Sequence, residues 1–68
     1  MTINGEKVAL TELASPDFKG LFEFAGVNAE RVAVERNGEI VRKADYGQVQ
    51  LCDDDVIEVI HFVGGGNR

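Results

Sequence analysis

The sequence predicts an α+β fold in which a mixed five-stranded sheet carries one main helix on one face. Two Asn-Gly pairs, Asn4-Gly5 and Asn37-Gly38, each separate short segments with strand-like alternation, and such pairs favour tight hairpin turns. One stretch between them has apolar residues at helical spacing. An apolar strand, Val56–Val63, follows near the C-terminus. The expected element order is therefore β-β-α-β-β-β.

The first hairpin is centred on Asn4-Gly5, because both residue types tolerate the positive φ angles that a two-residue turn requires. Met1–Asn4 is expected to begin a short strand. The return strand is expected over Glu6–Leu10, where Val8 and Leu10 share one face.

The helix is expected to begin at Ser15-Pro16-Asp17, with Ser15 as the N-cap and the aspartate near the positive end of the dipole. Gly26 is expected to end the helix, and Gly20 inside the helix costs about 1 kcal/mol relative to alanine. Phe24 falls off the apolar stripe and is expected to be partly exposed. The stripe itself consists of residues at i, i+3, i+4 and i+7, namely Phe18, Leu21, Phe22 and Ala25.

The second hairpin joins a strand at Arg31–Arg36 to a short strand at Glu39–Arg42 through Asn37-Gly38. The following segment, Ala44–Val49, is expected to be irregular, and Leu51 is expected to fill the core.

Three adjacent aspartates, Asp53–Asp55, are interpreted as a solvated turn before the last strand. A calcium loop spreads its ligands over about 12 residues with a glycine and a late glutamate, and consecutive carboxylates point in different directions. We therefore expect no metal at this turn.

Five short strands and one helix in this order indicate a ubiquitin-like β-grasp fold, with the first and last strands parallel at the centre. We expect one domain over residues 1–63 and a flexible glycine-rich tail over residues 64–68.

Composition excludes several function classes. The net charge of −5 and the pI near 4.6 argue against nucleic acid as a partner. Cys52 is the single cysteine, so no internal disulfide is expected. No apolar stretch approaches the roughly 20 residues that cross a membrane. We expect a cytoplasmic chain that is monomeric when free.

The last strand is expected to present a partner-facing patch. Glu58 marks its solvent side, because an unpaired charge is rarely buried. Alternation then puts Ile57 and Val59 in the core and leaves Ile60 and Phe62 on the outer face. Two large apolar side chains on an exposed sheet face favour a protein contact, although a covering loop or scattered surface residues would also explain them.

Catalytic and ligand-binding motifs are not recognised in the sequence. The one histidine, His61, is interpreted as a residue at the rim of the core, and Cys52 as a structural residue. The sequence has no phosphate-binding glycine loop and no Cys and His residues at the spacing typical of zinc sites. We therefore expect a chain that is not itself an enzyme and binds no cofactor.

Several segments together resemble the ThiS family of thiamine-biosynthesis sulfur carriers. These are the opening turn Asn4-Gly5-Glu6, then Val32–Val41, Leu51–Val59 and Phe62–Gly66, in that order. The resemblance covers almost the whole chain and implies the β-grasp fold already inferred from the element order.

The resemblance also implies a function. The carboxylate of Gly66 would be adenylated with ATP by an E1-like enzyme of the ThiF type. A cysteine desulfurase relay would supply sulfur for a thiocarboxylate, and thiazole synthase, of the ThiG type, would use it. Gly64, Gly65 and Gly66 would form the arm that threads into the partner, since glycine has no side chain to obstruct a narrow site.

Two features depart from the family pattern. Asp54 stands where the family usually has glycine, and Asn67-Arg68 follow the glycines, whereas the family normally ends on glycine. We expect a protease to remove Asn67-Arg68; alternatively, the two residues derive from an expression vector. The alternatives for function are a sulfur carrier for molybdopterin or amino-acid synthesis, and a ubiquitin-like modifier or binding module without sulfur chemistry.

Overall fold

The structure, a computed structural model, describes residues 1–62 of the 68-residue chain. Its strands and α-helix are β1 (Thr2–Ile3), β2 (Glu6–Lys7), α1 (Phe18–Ala25), β3 (Val32–Arg36), β4 (Glu39–Val41) and β5 (Val56–His61). Short 3-10 helices lie at Leu10–Glu12, Ala29–Arg31 and Lys43–Gln48. Within this described part, α1 is too short to cross a membrane, and no other helix is long and apolar enough to do so.

The five strands form one mixed sheet in the order β2-β1-β5-β3-β4. β1 runs parallel to β5, while β3 is antiparallel to both β4 and β5. The expected central pairing of the first and last strands is therefore confirmed, and so is the β-grasp arrangement of one main helix on a mixed sheet.

Both Asn-Gly turns form as expected. Asn4-Gly5 has φ angles of 52° and 85°, and Asn37-Gly38 has φ angles of 54° and 86°. Two-residue hairpin turns of this type need positive φ at both central residues, because a turn with these angles has the same twist as the strands that it joins.

The two turn asparagines also hold β5 from opposite sides. Val59 N–H donates to Asn4 Oδ1 at 2.7 Å, and Asn4 Nδ2 donates to the Val59 carbonyl at 3.3 Å. On the other side, Val56 N–H donates to Asn37 Oδ1 at 2.9 Å. The Asn4 side chain thus continues the pairing of β5 beyond the end of the short strand β1.

The N-cap of α1 is Asp17, so the assignment of Ser15 as the cap is wrong. Asp17 has extended backbone, and its carboxylate accepts from Gly20 N–H at 2.9 Å. Ser15 instead donates its hydroxyl to that carboxylate at 2.7 Å. A carboxylate accepts more strongly than a hydroxyl at the positive end of a helix. Gly26 ends the helix in the left-handed conformation, with φ 68°, as expected.

Gly20 is required by packing, which the sequence did not indicate. A Cβ atom on Gly20 would lie 2.7 Å from the Ser15 nitrogen and 2.9 Å from the Ser15 carbonyl carbon. The helix therefore packs directly against the backbone of the segment before it.

The core lies between α1 and the sheet, and most of the helical stripe faces it. Phe18 and Leu21 are fully buried and Phe22 nearly so, whereas Ala25 in the last turn is exposed, contrary to expectation. Phe24 is exposed as expected, and Leu51 fills the core as expected.

Two segments differ from their predicted conformation. β2 ends at Lys7, and Leu10 lies in a 3-10 helix rather than in the strand, because Ala9 N–H donates to the Glu12 carboxylate at 2.9 Å and turns the chain. The segment expected to be irregular contains the 3-10 helix Lys43–Gln48, whose Tyr46 ring packs against two phenylalanines of α1. At the strand ends, β3 begins at residue 32, β4 ends at residue 41 and β5 ends at residue 61, each within two residues of the prediction.

Candidate functional site

The candidate site is built on β5, whose side chains alternate as predicted. Ile57 is fully buried and Val59 nearly so, while Glu58 and Ile60 are exposed. The core therefore fixes the rotation of the strand about its own axis. Everything on its other face projects away from the helix.

Backbone pairing holds β5 beyond its last strand residue. Phe62 N–H donates to the Arg31 carbonyl at 3.1 Å, and Asn37 N–H donates to the Val56 carbonyl at 2.8 Å at the other end of the strand. The backbone N–H and C=O groups of even-numbered residues thus point toward β3, and by alternation those of odd-numbered residues point toward β1, as in the bond from Asn4 N–H to the Ile57 carbonyl. Residues up to Phe62 are consequently fixed to the centre of the sheet.

The predicted patch residues lie on the open face of the sheet. Ile60 is 46% exposed and Phe62 is 60% exposed. Val56, at 48%, and Ile40 on β4, at 63%, add to the apolar surface of this face. Alternation along the last strand already put Val56 on this face, although not in the predicted patch, and sequence reasoning missed Ile40. The register of β4 against β3, in which Ile40 lies opposite Glu35, is what assigns Ile40 to the open face.

Two glutamates lie among these apolar residues. Glu35 on β3 and Glu58 on β5 are direct cross-strand partners, and both belong to the face opposite the helix. The open face is therefore apolar with an acidic pair at its middle.

The Asp53–Asp55 turn is only partly the solvated turn that was expected. Asp53 and Asp54 are exposed, but Asp55 is 3% exposed. Its carboxylate accepts from the Cys52 N–H at 2.9 Å and from the Arg36 and Asn37 side chains at 3.0 Å each. The interpretation of Asp55 as solvated is wrong, because Arg36 and Asn37 reach it from the second hairpin and Cys52 from its own turn.

Electrostatics at Asp55 combine two opposing effects. Burial raises the pKa of the Asp55 carboxyl, but the hydrogen bonds from Cys52, Asn37 and Arg36 outweigh it and lower the pKa below its ordinary value. The pKa of Arg36 is raised, chiefly by its hydrogen bond to Asp55. The pair is therefore ionised at neutral pH and joins the second hairpin to the start of β5.

The remaining candidate groups do not converge. Cys52 is exposed, and its backbone N–H is bound to Asp55. His61 is exposed and lies opposite Val32 in the β3–β5 register. Among residues 1–62, the structure brings together no group of three His, Cys, Asp or Glu side chains that could hold a metal ion.

The predicted arm residues Gly64, Gly65 and Gly66 lie outside the described residues, as do Val63 and Asn67-Arg68. The division between a domain at residues 1–63 and a tail at residues 64–68 stays a prediction. What the structure fixes is the base of the arm, at Phe62.

Comparison with protein families gives a match to the ThiS family over residues 1–66. A solved structure of the thiamine biosynthesis protein ThiS from Geobacter metallireducens is 32% identical, with a TM-score of 0.76 and 96% of both chains covered. The fold and the sequence thus point to the same relatives.

Curated proteins with similar sequences agree with this family match. The sulfur carrier protein ThiS of Bacillus subtilis is 66% identical over 35 residues, which is 52% of this chain and 53% of that protein. A thiazole synthase of Paramagnetospirillum magneticum is 43% identical over 98% of this chain, and one of Magnetococcus marinus is 49% identical over 81%. The chain spans only 20% and 17% of the lengths of these two enzymes. With a family match over nearly its full length, the chain belongs to the ThiS family.

Proposed function

We propose that this protein is a sulfur carrier for the formation of the thiazole ring of thiamine, and that Gly66 carries the sulfur. The observation that supports this most strongly is the family match over residues 1–66, which ends at the last of the three glycines. The architecture agrees with the role, because the central strand leads directly to the glycine arm.

The proposed chemistry takes place at the carboxylate of Gly66. A carboxylate oxygen attacks the α-phosphorus of ATP and displaces pyrophosphate, which gives an acyl adenylate. The terminal sulfur of a persulfide on a cysteine desulfurase relay then attacks the acyl carbon and displaces AMP, which gives an acyl disulfide. A second thiol of the relay reduces this disulfide, so that a thiocarboxylate remains on Gly66 and a disulfide on the relay. The ATP belongs to the activating enzyme, and this chain supplies the carboxylate and the surface by which it is recognised.

The partners follow from this division of labour. An E1-like adenylyltransferase of the ThiF type would activate the arm, and a thiazole synthase of the ThiG type would accept the sulfur. The second partner is supported by the two thiazole synthases in which a segment similar to this chain forms a minor part of the polypeptide. We place all three proteins in the cytoplasm, and this chain has no catalytic role of its own.

Ile60 and Phe62 form the proposed contact at the base of the arm. Ordering five residues of the arm in a groove costs roughly 1–2 kcal/mol per residue, while burying Ile60 and Phe62 contributes about 1.5–3 kcal/mol each if they were fully exposed. The two side chains are already partly covered, so the gain is smaller but still offsets part of the cost.

Removal of Asn67-Arg68 is part of the proposal. The amide that joins Gly66 to Asn67 leaves no free carboxylate at Gly66, so adenylation there requires a prior hydrolysis by a protease. The family match stops before these two residues, which supports this view.

The test compares the full-length chain with a chain that ends at Gly66. Each is incubated with ATP and the ThiF-type adenylyltransferase of the same organism, and pyrophosphate release is measured. We expect release only with the shorter chain, and mass spectrometry after addition of the sulfur relay should show one oxygen replaced by sulfur.

Two outcomes would contradict the proposal. Equal adenylation of the full-length chain would show that Asn67-Arg68 do not block the reaction. Attachment of the chain to a lysine of another protein, without sulfur incorporation, would identify a ubiquitin-like modifier instead.

A further inference from the structure

The open face of the sheet carries a charge arrangement that the fold does not explain. Glu35 and Glu58 lie directly opposite each other on β3 and β5. Like charges at such a position destabilise a sheet, by an amount similar to the gain from a favourable cross-strand pair. The pair therefore does not stabilise the free protein.

No cation of the described chain neutralises this pair. Within residues 1–62, the ion pairs join Arg36 to Asp55, Arg42 to Asp45 and Lys43 to Glu30. None of these pairs includes Glu35 or Glu58. Arg31, whose carbonyl accepts from the Phe62 N–H, likewise takes part in none of these pairs.

Apolar side chains surround the acidic pair. Ile40 lies beside Glu35 on β4, and Val56 and Ile60 precede and follow Glu58 on the same face of β5. All three are about half exposed or more. A face with an apolar surround and an uncompensated charge at its middle is suited to a protein surface that supplies the opposite charge.

We propose that the partner surface that covers this face is apolar and inserts an arginine between Glu35 and Glu58. An arginine guanidinium presents several donors in a plane and can serve two carboxylates at once, which a lysine ammonium does less well. This inference rests on the proposed function, because the face is continuous with Ile60 and Phe62 at the base of the arm. In the proposed function the activating enzyme receives the arm that follows Phe62, so this enzyme is the occupant that we assign to the face.

The arrangement has a distinctive consequence, since the free and bound states respond in opposite directions. Glu58→Lys creates an opposite-charge pair with Glu35, so the midpoint of thermal unfolding should rise by about 2–4 °C. The same change places a lysine against the partner's arginine. Glu58→Lys should therefore raise the stability of the free protein and lower its affinity for the partner.

The test uses the chain ending at Gly66 and the ThiF-type adenylyltransferase of the same organism. For Glu58→Lys we expect the Kd and the KM for the carrier to rise about tenfold or more, with kcat unchanged, and for Glu58→Gln about threefold to fivefold. The wild-type Kd should weaken with added salt, and the Glu58→Gln Kd should weaken less.

Glu23→Lys is the matched control, because Glu23 is an exposed glutamate on α1, on the opposite side of the sheet. It makes the same change in net charge, so its Kd and KM should stay within about twofold of the wild-type values. If Glu58→Lys matches Glu23→Lys while the wild-type chain binds and is adenylated, the acidic-pair inference is overturned and the proposed function stands. If the wild-type chain neither binds nor is adenylated, both are overturned.

Discussion

Asp55 joins parts of the chain that are distant in sequence. Its two carboxylate oxygens accept from the side chains of Arg36 and Asn37 and from the backbone of Cys52. The first two belong to the second hairpin, and Asp55 itself stands immediately before β5. One buried carboxylate therefore sets how the hairpin meets the central strand.

Asp55→Asn should destabilise the protein in a pH-dependent way. The folded-state pKa of Asp55 is lowered because its hydrogen bonds outweigh burial, so its contribution is fully present above the unfolded pKa of about 4 and is lost as pH falls through the folded pKa. At neutral pH we expect a loss of about 2–3 kcal/mol in the free energy of unfolding. Urea unfolding between pH of about 7 and about 3 measures the difference between wild type and variant, which should shrink at the acid end.

Asp54→Asn is the control, since Asp54 is exposed in the same turn. Its effect should stay within about 0.5 kcal/mol at every pH. A gap between wild type and Asp55→Asn that is constant from neutral to acid pH would count against this account of Asp55.

Side chains such as Asp55 set a limit on sequence-based prediction. Three consecutive aspartates have the same local appearance, and only the arrival of Arg36 and Asn37 distinguishes the third. Likewise, both Ser15 and Asp17 can cap a helix, and the choice between them depends on which backbone is extended at the helix start. For Asp55 the deciding contacts come from residues distant in sequence, and for the cap the deciding feature is a backbone conformation that the residue types do not reveal.

At the scale of elements, α1 depends on close packing at its first turn. Gly20 leaves room for the backbone of Ser15, whose nitrogen would lie 2.7 Å from an added Cβ atom. Helix propensity alone predicts that alanine is better than glycine there by about 1 kcal/mol. The close backbone contact predicts instead that alanine at this position destabilises the protein.

Gly20→Ala should therefore destabilise the protein by about 1–3 kcal/mol, because the helix or the preceding segment must shift. Gly47→Ala is the matched control: Gly47 lies in a 3-10 helix, and nothing is within 4 Å of a Cβ atom added there. Its effect should be within about 0.5 kcal/mol of zero. Guanidinium unfolding of both variants measures the difference, and a stabilised Gly20→Ala would show that the backbone contact relaxes at little cost.

The elements that were predicted well are those with local causes. The Asn-Gly turns need positive φ at two adjacent residues, and the alternation along β5 needs only a buried face. The 3-10 helices at Leu10–Glu12 and Lys43–Gln48 were missed. The first is stabilised by the hydrogen bond from Ala9 N–H to the Glu12 carboxylate, and the second by the packing of the Tyr46 ring on α1. A sequence pattern does not reveal either contact.

At the scale of the whole molecule, the two faces of the sheet have separate roles. The helix covers one face and forms the core, while the other face keeps large apolar side chains at the base of the arm. The arm itself and its reactive residue were inferred from the resemblance to a family, and the structure describes only the strand that leads to them.

Phe62→Ser should weaken the interaction with the activating enzyme but change the free energy of unfolding by less than about 1 kcal/mol, since Phe62 is 60% exposed. The KM for the carrier should rise about tenfold or more with kcat unchanged. Phe24→Ser is the control, because Phe24 is similarly exposed but lies on α1. Equal KM values for the two variants would argue against a role for Phe62 in the contact.

The bracing of β5 by Asn4 and Asn37 has a mechanical consequence. Tension applied to the chain at Phe62 would act along the axis of the central strand. The parallel bonds to β1, the antiparallel bonds to β3 and the two asparagine side chains all resist that pull in shear, so the load is shared among many bonds at once. If an edge strand were instead peeled from the sheet, its hydrogen bonds would break one after another. The position of β5 between two strands would therefore distribute tension applied at Phe62 over several hydrogen bonds.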